Sequence, residues 1–482
     1  MTNVGLFFYP FRVETNSTEV YLTFEEHADS TPSVEGKKRR KGLFDFLKPS
    51  PFLEEIQDKT AVDKKYRYWR FRTFYAMYIG YAFYYLTRKS FTYTIPALSG
   101  SLGFDKAQIG LFGSVLSITY AISKFLSGIQ GDKSNPRYFM GIGLILTGVC
   151  NLCFGMSSLF ITLLIFWGLN GWFQGWGAPV CAKLLTHWYS HSERGRWWSV
   201  WNTAHNLGGA LIPLLAAFCI QCYGWRYAMY VPGILGILGG LFIINRLRDT
   251  PQSLGLPSVE KYRNDYIPER REKASITAKE ILVDYVLKNK YMWVLACAYF
   301  FIYVVRTGVN DWSLVYLMES KKYSILTAGA CLCWFEIGGF FGSLAAGWIS
   351  DKLFRGKRNP INFLFTIGVL ATVFLLWKTP MASPVWDSIL IFIIGFFIFG
   401  PQMMIGMAAA EMSHKKAVAT ATGFAGFFAY LGATFAGFPL GVMMKSWGWE
   451  GYFLALSICC VAAALLVAPL WSIKSNPKGE TF

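Results

Sequence analysis

Residues 138–182 read YFMGIGLILTGVCNLCFGMSSLFITLLIFWGLNGWFQGWGAPVCA and contain no Asp, Glu, Lys or Arg. An α-helix rises 1.5 Å per residue, so about 20 apolar residues span a bilayer. This stretch therefore fits two spans, with a break near Met156–Ser158. The whole chain has this character, since 54% of its 482 residues are hydrophobic and only 16% are charged. Soluble domains carry about 25% charged residues, so the composition excludes a large soluble enzyme and indicates a membrane protein.

Similar uncharged or sparsely charged runs recur along the chain. Together they predict an all-α polytopic membrane protein with twelve transmembrane helices. The predicted spans are 72–98, 107–130, 138–156, 159–182, 197–220, 227–246, 291–318, 325–350, 361–378, 386–410, 417–444 and 451–472.

The placement of basic residues predicts the orientation. Most of the 46 lysines and arginines lie in the N-terminal tail, the even-numbered loops and the C-terminal tail. Only a few lie in the odd-numbered loops: Lys106, Arg226, Lys321, Lys322, Lys378 and Lys445. Because cytoplasmic loops are enriched in Lys and Arg, both termini are expected in the cytoplasm. With this placement, the net charge of +17 indicates anionic lipid rather than nucleic acid as the neighbour of the basic segments.

The polar segments outside the spans divide the chain. We expect residues 1–65 to be a mostly disordered cytoplasmic tail, 247–290 a central cytoplasmic loop and 473–482 a second cytoplasmic tail. The intervening segments, 66–246 and 291–472, are the predicted six-helix halves. The ten cysteines lie within or beside apolar spans, where Cys is a small packing residue, so no metal or cofactor site is expected.

The two halves repeat one another. The turn Gly128-Ile-Gln-Gly-Asp132-Lys133 returns as Gly347-Trp-Ile-Ser-Asp351-Lys352, about 220 residues later. Two six-helix halves with this turn after spans 2 and 8 resemble the major facilitator superfamily. The resemblance implies a central cavity between the halves that opens alternately to either side. The sequence contains no Walker motif, which argues against transport driven by ATP.

Two arginines are the main candidates for a binding site. Arg88 lies in the middle of span 1 and Arg306 near the middle of span 7, in equivalent positions of the repeat. A charged side chain at the bilayer centre is costly and usually faces a wet cavity. Each guanidinium pairs bidentately with phosphate or carboxylate oxygens, and two of them neutralise a phosphate-monoester dianion.

Polar and aromatic residues at helical spacing surround the two arginines in sequence. The candidate substrate-binding residues, besides Arg88 and Arg306, are Tyr81, Tyr85, Tyr120, Lys124, Trp201, Asn202, His205 and Tyr303.

A second charged set is expected to act in gating. Lys89 belongs to the first half, and Asp311 and Glu336 belong to the second. Opposite charges from the two halves are expected to pair across the cavity and to separate as it opens and closes. The alternative is a static pair within the core.

The sequence resembles one family within this superfamily, the organophosphate:phosphate antiporters. The resemblance covers about residues 64–472 and is carried by Tyr84-Tyr-Leu-Thr-Arg-Lys89, Ser123-Lys-Phe125, Gly171-Trp-Phe-Gln-Gly-Trp176, Trp201-Asn-Thr-Ala-His-Asn206, Asp249-Thr-Pro-Gln-Ser253 and Asp311-Trp312. It implies phosphate binding by Arg88 and Arg306 with His205 nearby, and cross-cavity salt bridges among Lys89, Asp311 and Glu336. Phe399 departs from the glycerol-3-phosphate branch, which has tyrosine there. Tyr66-Arg-Tyr-Trp-Arg70 and Phe399-Gly-Pro-Gln-Met403 are more similar to the hexose-phosphate branch.

The resemblance implies uptake of a hexose phosphate, first of all glucose 6-phosphate, in exchange for inorganic phosphate across a bacterial inner membrane. Two alternatives remain open. One is a membrane sensor of the same fold that reports external hexose phosphate to a membrane histidine kinase. The other is a glycerol-3-phosphate transporter. No nucleophile–base pair or metal cluster is visible in the sequence, so an enzyme is not expected.

Overall fold

Helices account for most of the described chain. The computed structural model describes residues 45–132, 134–265, 281–379, 383–412 and 418–473. Phe46–Phe482 form one unit, and Met1–Asp45, the other unit, lies outside the described residues except for Asp45. Eight helices in the described residues are long and apolar enough to cross a membrane.

The first group of helices follows the predicted first half. It consists of α1 (Lys59–Leu102), α2 (Lys106–Asp132), α3 (Pro136–Met156), α4 (Phe160–Gln174), α5 (Ala178–Trp188), α6 (His191–Asn202), α7 (Ala204–Tyr223) and α8 (Tyr227–Arg246). We call it the first bundle.

The central loop contains the short helix α9 (Val259–Arg263) and a π-helix, Ile281–Leu287. The second bundle consists of α10 (Lys290–Glu319), α11 (Ile325–Lys352), α12 (Asn359–Lys378), α13 (Pro384–Glu411), α14 (Val418–Phe435) and α15 (Phe438–Val467).

The two bundles repeat one packing scheme. In the first bundle α1 packs against α7 and α8, α2 against α4, and α3 against α8. In the second, α10 packs against α14 and α15, α11 against α13, and α12 against α15. Contacts between the bundles join α7 to α11, α2 to α14 and α15, and α1 to α10. This equivalence agrees with the duplication seen in the sequence.

Every predicted span contains helix, but several helix ends differ from the predicted ones. The α1 helix begins at Lys59, where Asp58 caps it by accepting from the Thr60 amide. The predicted span 159–182 is interrupted at 175–177 and the span 197–220 at 203. The predicted span 417–444 is interrupted at 436–437. The bend at Gly448, whose φ of 60° favours glycine, lies in the predicted gap between the last two spans. Hydropathy does not record such breaks, because apolar residues continue through them.

Residues 46–57, which lie within the predicted tail of 1–65, are hydrogen-bonded to the central loop. The Ser50 amide donates to Asp249 Oδ2 over 2.9 Å, and the Leu53 and Ile56 amides donate to backbone carbonyls of Gln252 and Gly255. These bonds tie 46–57 to the beginning of the central loop. Residues 1–44 lie outside the described residues, and disorder there stays a prediction.

The outer faces of the helices are apolar. Large hydrophobic side chains within the helices are about half exposed, among them Leu211, Phe218, Leu241, Phe341 and Ile458. Exposed apolar side chains on many helices are what a lipid-facing surface requires.

Candidate functional site

A cavity of about 110 Å³ lies between the two bundles, and we call it the central cavity. Both bundles contribute its walls. Its polar and aromatic wall includes Tyr85, Arg88, Lys89, Tyr120, Tyr303, Arg306, Asp311, Gln402 and Tyr430. The structure thus brings Arg88 and Arg306 to one cavity, at equivalent places on α1 and α10.

Arg88 is held by an amide and two aromatic rings. Its Nε donates to Gln174 Oε1 over 3.3 Å. Its Cζ lies 4.2 Å from the ring centroid of Tyr120 and 4.9 Å from that of Tyr85, both within cation–π range. Its Nη2 is buried and has no hydrogen-bond partner in the described part of the chain. A buried unpaired donor is costly, so this nitrogen is suited to an anionic ligand.

Buried polar side chains behind Arg88 orient Gln174, the amide that accepts from Arg88. Gln174 Nε2 donates to Thr87 Oγ1 over 2.9 Å and to Asn170 Oδ1 over 3.2 Å. Asn170 in turn donates to Asn151 Oδ1 over 2.7 Å. This network links α1, α3 and α4. Sequence reasoning did not select Gln174, although it lies in the Gly171–Trp176 motif.

Arg306 lies against aromatic rings on the other side of the cavity. Its Cζ is 4.9 Å from the Phe399 ring centroid and 5.7 Å from that of Tyr303. Its Nε is buried without a hydrogen-bond partner among the described residues. No carboxylate in the described chain forms an ion pair with Arg88 or Arg306. Both cations therefore retain capacity for an anion.

His205 lies between the two arginine sites. Its ring centroid is 5.4 Å from Tyr85 and 6.0 Å from Phe399, and it is nearly parallel to the latter ring. Its Nε2 is buried and has no hydrogen-bond partner within the described ranges. Asn202 is the last residue of α6, and His205 lies at the beginning of α7, three residues later.

Three other candidates lie behind the cavity wall. Tyr81 and Trp201 pack on one another with ring centroids 4.9 Å apart, in the core of the first bundle. Lys124 Nζ lies 5.2 Å from the Tyr430 ring centroid and 5.8 Å from that of Tyr120. Tyr81 and Trp201 therefore support Tyr85, whereas Lys124 lies beside two wall residues and adds positive charge there.

Of the three charged residues predicted for gating, two form an ion pair and the third lies in a different contact. Lys89 Nζ is 3.0 Å from Asp311 Oδ1, and this ion pair joins α1 to α10. Glu336 instead accepts from Asn206 Nδ2 over 3.0 Å in the contact between α7 and α11. Its other oxygen, Oε1, is buried and has no hydrogen-bond partner in the ranges described. In this conformation Lys89 thus pairs with Asp311 and not with Glu336.

The bundles are joined at the end of the molecule that carries the odd-numbered loops, which we call the closed end. Lys445 Nζ is 2.7 Å from Asp105, and Lys106 Nζ is 2.7 Å from Glu319. The Trp449 indole also donates to Glu319 over 3.1 Å. The Lys445 hydrogen bond lowers the pKa of the Asp105 carboxyl, so acid weakens this contact only as pH falls through that lowered value.

Near these ion pairs, glycine permits α2 to pack directly against the segment between α14 and α15. A Cβ at Gly110 would lie 2.5 Å from the Gly437 carbonyl oxygen, which no side chain tolerates. Ser114 Oγ donates to the Thr434 carbonyl over 2.6 Å and accepts from the Phe438 amide over 2.8 Å. This close approach of α2 explains why the predicted span 417–444 breaks at 436–437.

Comparisons with known proteins agree with the family resemblance seen in the sequence. Residues 77–437 match the model of the Major Facilitator Superfamily. The chain is 56% identical over 439 residues to a probable hexose phosphate transport protein of Chlamydia pneumoniae, covering 89% of this chain and 96% of that protein. It is 49% identical over 429 residues to the membrane sensor protein UhpC of Escherichia coli, covering 89% and 98%.

A solved structure shares the fold at low identity. It is a bacterial homologue of the human lysosomal transporter Spinster in an inward-facing and occupied conformation, with a TM-score of 0.67 at 15% identity. The alignment covers 86% of this chain and 99% of that one. The chain is a multi-pass membrane protein of the Major Facilitator Superfamily, in the hexose-phosphate branch of the organophosphate:phosphate antiporters.

Proposed function

We propose that this protein carries a hexose phosphate, with glucose 6-phosphate as the first candidate, inward across a bacterial inner membrane in exchange for inorganic phosphate. The observation that carries the proposal is the pair of unneutralised arginines, Arg88 and Arg306, facing one cavity from two bundles. The names of the relatives, a hexose phosphate transport protein and a sensor, support the choice of a sugar phosphate. The proposed activity is transport, with no chemical step and no cofactor.

The proposed topology has twelve spans and both termini in the cytoplasm. Its two six-helix halves are 66–246 and 291–472, joined by the loop 247–290. With this orientation the closed end faces outward. The distribution of Lys and Arg supports it, because the odd-numbered loops that form the closed end are poor in both.

The proposed mechanism follows from charge. Without ligand, Arg88 and Arg306 are like charges in a partly dehydrated cavity. A phosphate dianion cancels them and connects the two bundles, so its binding energy stabilises the intermediate in which both ends are closed. The empty carrier lacks this connection and changes conformation slowly. Obligate exchange of sugar phosphate for phosphate follows.

The experiment is uptake of labelled glucose 6-phosphate into proteoliposomes that contain inorganic phosphate. Arg88→Lys and Arg306→Lys retain the charge but lose the bidentate fork. Each is expected to weaken phosphate binding about ten- to a hundredfold, because a charge-assisted hydrogen bond contributes about 1.5–3 kcal/mol. Free glucose should not compete. Arg358→Lys is the matched control, since Arg358 pairs with Glu411 away from the cavity. Unchanged affinity in both cavity variants would contradict the proposal.

A second candidate function is supported by the 49% identity to a sensor protein. A sensor of this fold would bind the sugar phosphate at the same site and report it to a membrane histidine kinase. The two functions differ in flux: purified protein that binds glucose 6-phosphate tightly but exchanges no phosphate would favour the sensor. A glycerol-3-phosphate carrier is the third candidate, and Phe399 in place of tyrosine argues against it.

A further inference from the structure

Gln402 is a residue of the central cavity that the mechanism above does not use. It follows Pro401 on α13 and lines the cavity together with Arg306. Its backbone carbonyl accepts from the Tyr299 hydroxyl over 2.7 Å, which ties this turn of α13 to α10. Its side-chain Oε1 is buried and has no hydrogen-bond partner in the described part of the chain. The turn of helix that carries Gln402 is thus held, and the side-chain oxygen is unpaired.

The chemistry of this oxygen differs from that of the other unpaired atoms of the cavity wall. Arg88 Nη2, Arg306 Nε and Trp167 Nε1 are all donors. Phosphate oxygens are acceptors and suit the two arginines. Gln402 Oε1 is itself an acceptor, so a phosphate oxygen beside it would be repelled. An unpaired acceptor in a buried site requires a donor, and a sugar supplies hydroxyl groups that donate.

The position of Gln402 also suits the sugar end of the substrate. Phe399 and Gln402 are three residues apart and therefore share one face of α13. The Arg306 guanidinium lies over the Phe399 ring, and Gln402 is the next turn along that face. A ligand whose phosphate is held by Arg306 can therefore extend along α13 to the amide.

We propose that Gln402 accepts a hydrogen bond from a hydroxyl of the sugar and thereby distinguishes a hexose phosphate from inorganic phosphate. The inference rests on the proposed function and adds to it the residue that recognises the sugar. Inorganic phosphate reaches the arginines without needing Gln402.

The first test compares two ligands in one variant. Gln402→Met keeps the length of the side chain and removes the acceptor. Exchange of labelled phosphate for phosphate in proteoliposomes should keep its affinity, whereas inhibition of that exchange by glucose 6-phosphate should require roughly three- to tenfold more ligand. Gln57→Met, at an exposed glutamine outside the bundles, is the matched control. Equal losses for both ligands would overturn the inference, because they would place Gln402 at the phosphate or in the fold.

The second test identifies the hydroxyl. Analogues of glucose 6-phosphate that each lack one hydroxyl are measured against the wild-type protein and Gln402→Met. One analogue should bind the wild type as weakly as glucose 6-phosphate binds the variant, and Gln402→Met should weaken that analogue no further. Losses that multiply for every analogue would overturn the inference. If wild-type protein does not bind glucose 6-phosphate at all, the proposed function falls as well; if wild type and variant bind it equally, only this inference falls.

Discussion

The orientation of Arg88 depends on residues that never face the cavity. Its Nε is held by Gln174, and Gln174 is held by Asn170 and Thr87. A guanidinium that is oriented before the ligand arrives loses less entropy on binding. Arg306 has no such amide in the described chain and is held mainly by aromatic rings. The two pseudo-equivalent arginines are therefore positioned by different means.

Lys89 is expected to act on the rate of exchange more than on binding. The Lys89–Asp311 pair joins the bundles in this conformation, and both side chains are mostly buried. Lys89→Ala leaves the Asp311 carboxylate without its ion-pair partner, which destabilises this conformation. We expect exchange to slow at least about tenfold while the dissociation constant for phosphate changes less than about threefold. Exchange and equilibrium binding in the same proteoliposomes measure both.

The matched variant for this prediction is the double change Lys89→Ala with Asp311→Asn, which removes both charges. Part of the rate should return, since no unpaired carboxylate remains. Loss of binding in Lys89→Ala at an unchanged turnover rate would instead place Lys89 in the ligand site.

Charged residues in a span are easier to select from the sequence than amides are. Arg88 and Arg306 are conspicuous because charge is rare in a span, and both line the cavity. Tyr81 and Trp201 have the helical spacing of site residues but are buried in the first bundle. Gln174, which accepts from Arg88, was not selected, because a neutral amide in a span differs little in sequence from a packing residue. Its hydrogen bonds to Arg88 and Thr87 in the structure identify it.

Among the helices, α2 and α15 make the main contacts between the bundles at the closed end. They meet through the Gly110–Gly437 contact and are joined by the Asp105–Lys445 pair. The end of α10 adds Glu319, which pairs with Lys106 and accepts from Trp449. Each pair is partly exposed and contributes under about 1 kcal/mol. Together they bias the closed end without locking it, as a carrier requires.

Glu319→Gln is expected to open the closed end more often. A cysteine at Ile109, buried in the cavity wall, reports this opening in a background without native cysteines. Labelling of that cysteine by an impermeant reagent from the closed-end side should become about two- to fivefold faster, because one weak ion pair is lost. High salt should reproduce part of the effect.

The matched control is Glu450→Gln. Glu450 is also exposed at this end, but it accepts from Trp377 within the second bundle and does not connect the bundles. Equal acceleration by both variants, or none by Glu319→Gln, would contradict the role assigned to the Glu319 contacts.

Helix positions were predictable where uncharged length decides them, as for α3, α8 and α12. The interruptions inside the predicted spans were not predictable, because tertiary contacts set them. The gap at 436–437 lies where α2 approaches the backbone, and the turn before α5 lies where a Cβ at Gly175 would clash with Ser123. The backbone hydrogen bonds between 46–57 and the central loop were also not predictable, since they leave no hydropathy pattern.

On the scale of the whole molecule, the proposed topology places the central loop and the closed end on opposite sides of the membrane. Single cysteines at Lys261 and Lys322, in a background without native cysteines, should therefore react from opposite sides of intact cells. Lys261 is 60% exposed, so access does not limit the test. Position 322 should react with impermeant reagent from outside, and position 261 only after permeabilisation. Labelling of both positions from outside would contradict the twelve-span topology.

Obligate exchange through the two arginines is tested by efflux of preloaded labelled phosphate from proteoliposomes. We expect slow efflux into buffer and rapid efflux when glucose 6-phosphate is added outside. Arg88→Lys and Arg306→Lys should lose the stimulated component at the same ligand concentration. Equal efflux with and without external glucose 6-phosphate would contradict exchange, and intact binding with no efflux in either condition would identify a receptor instead of a carrier.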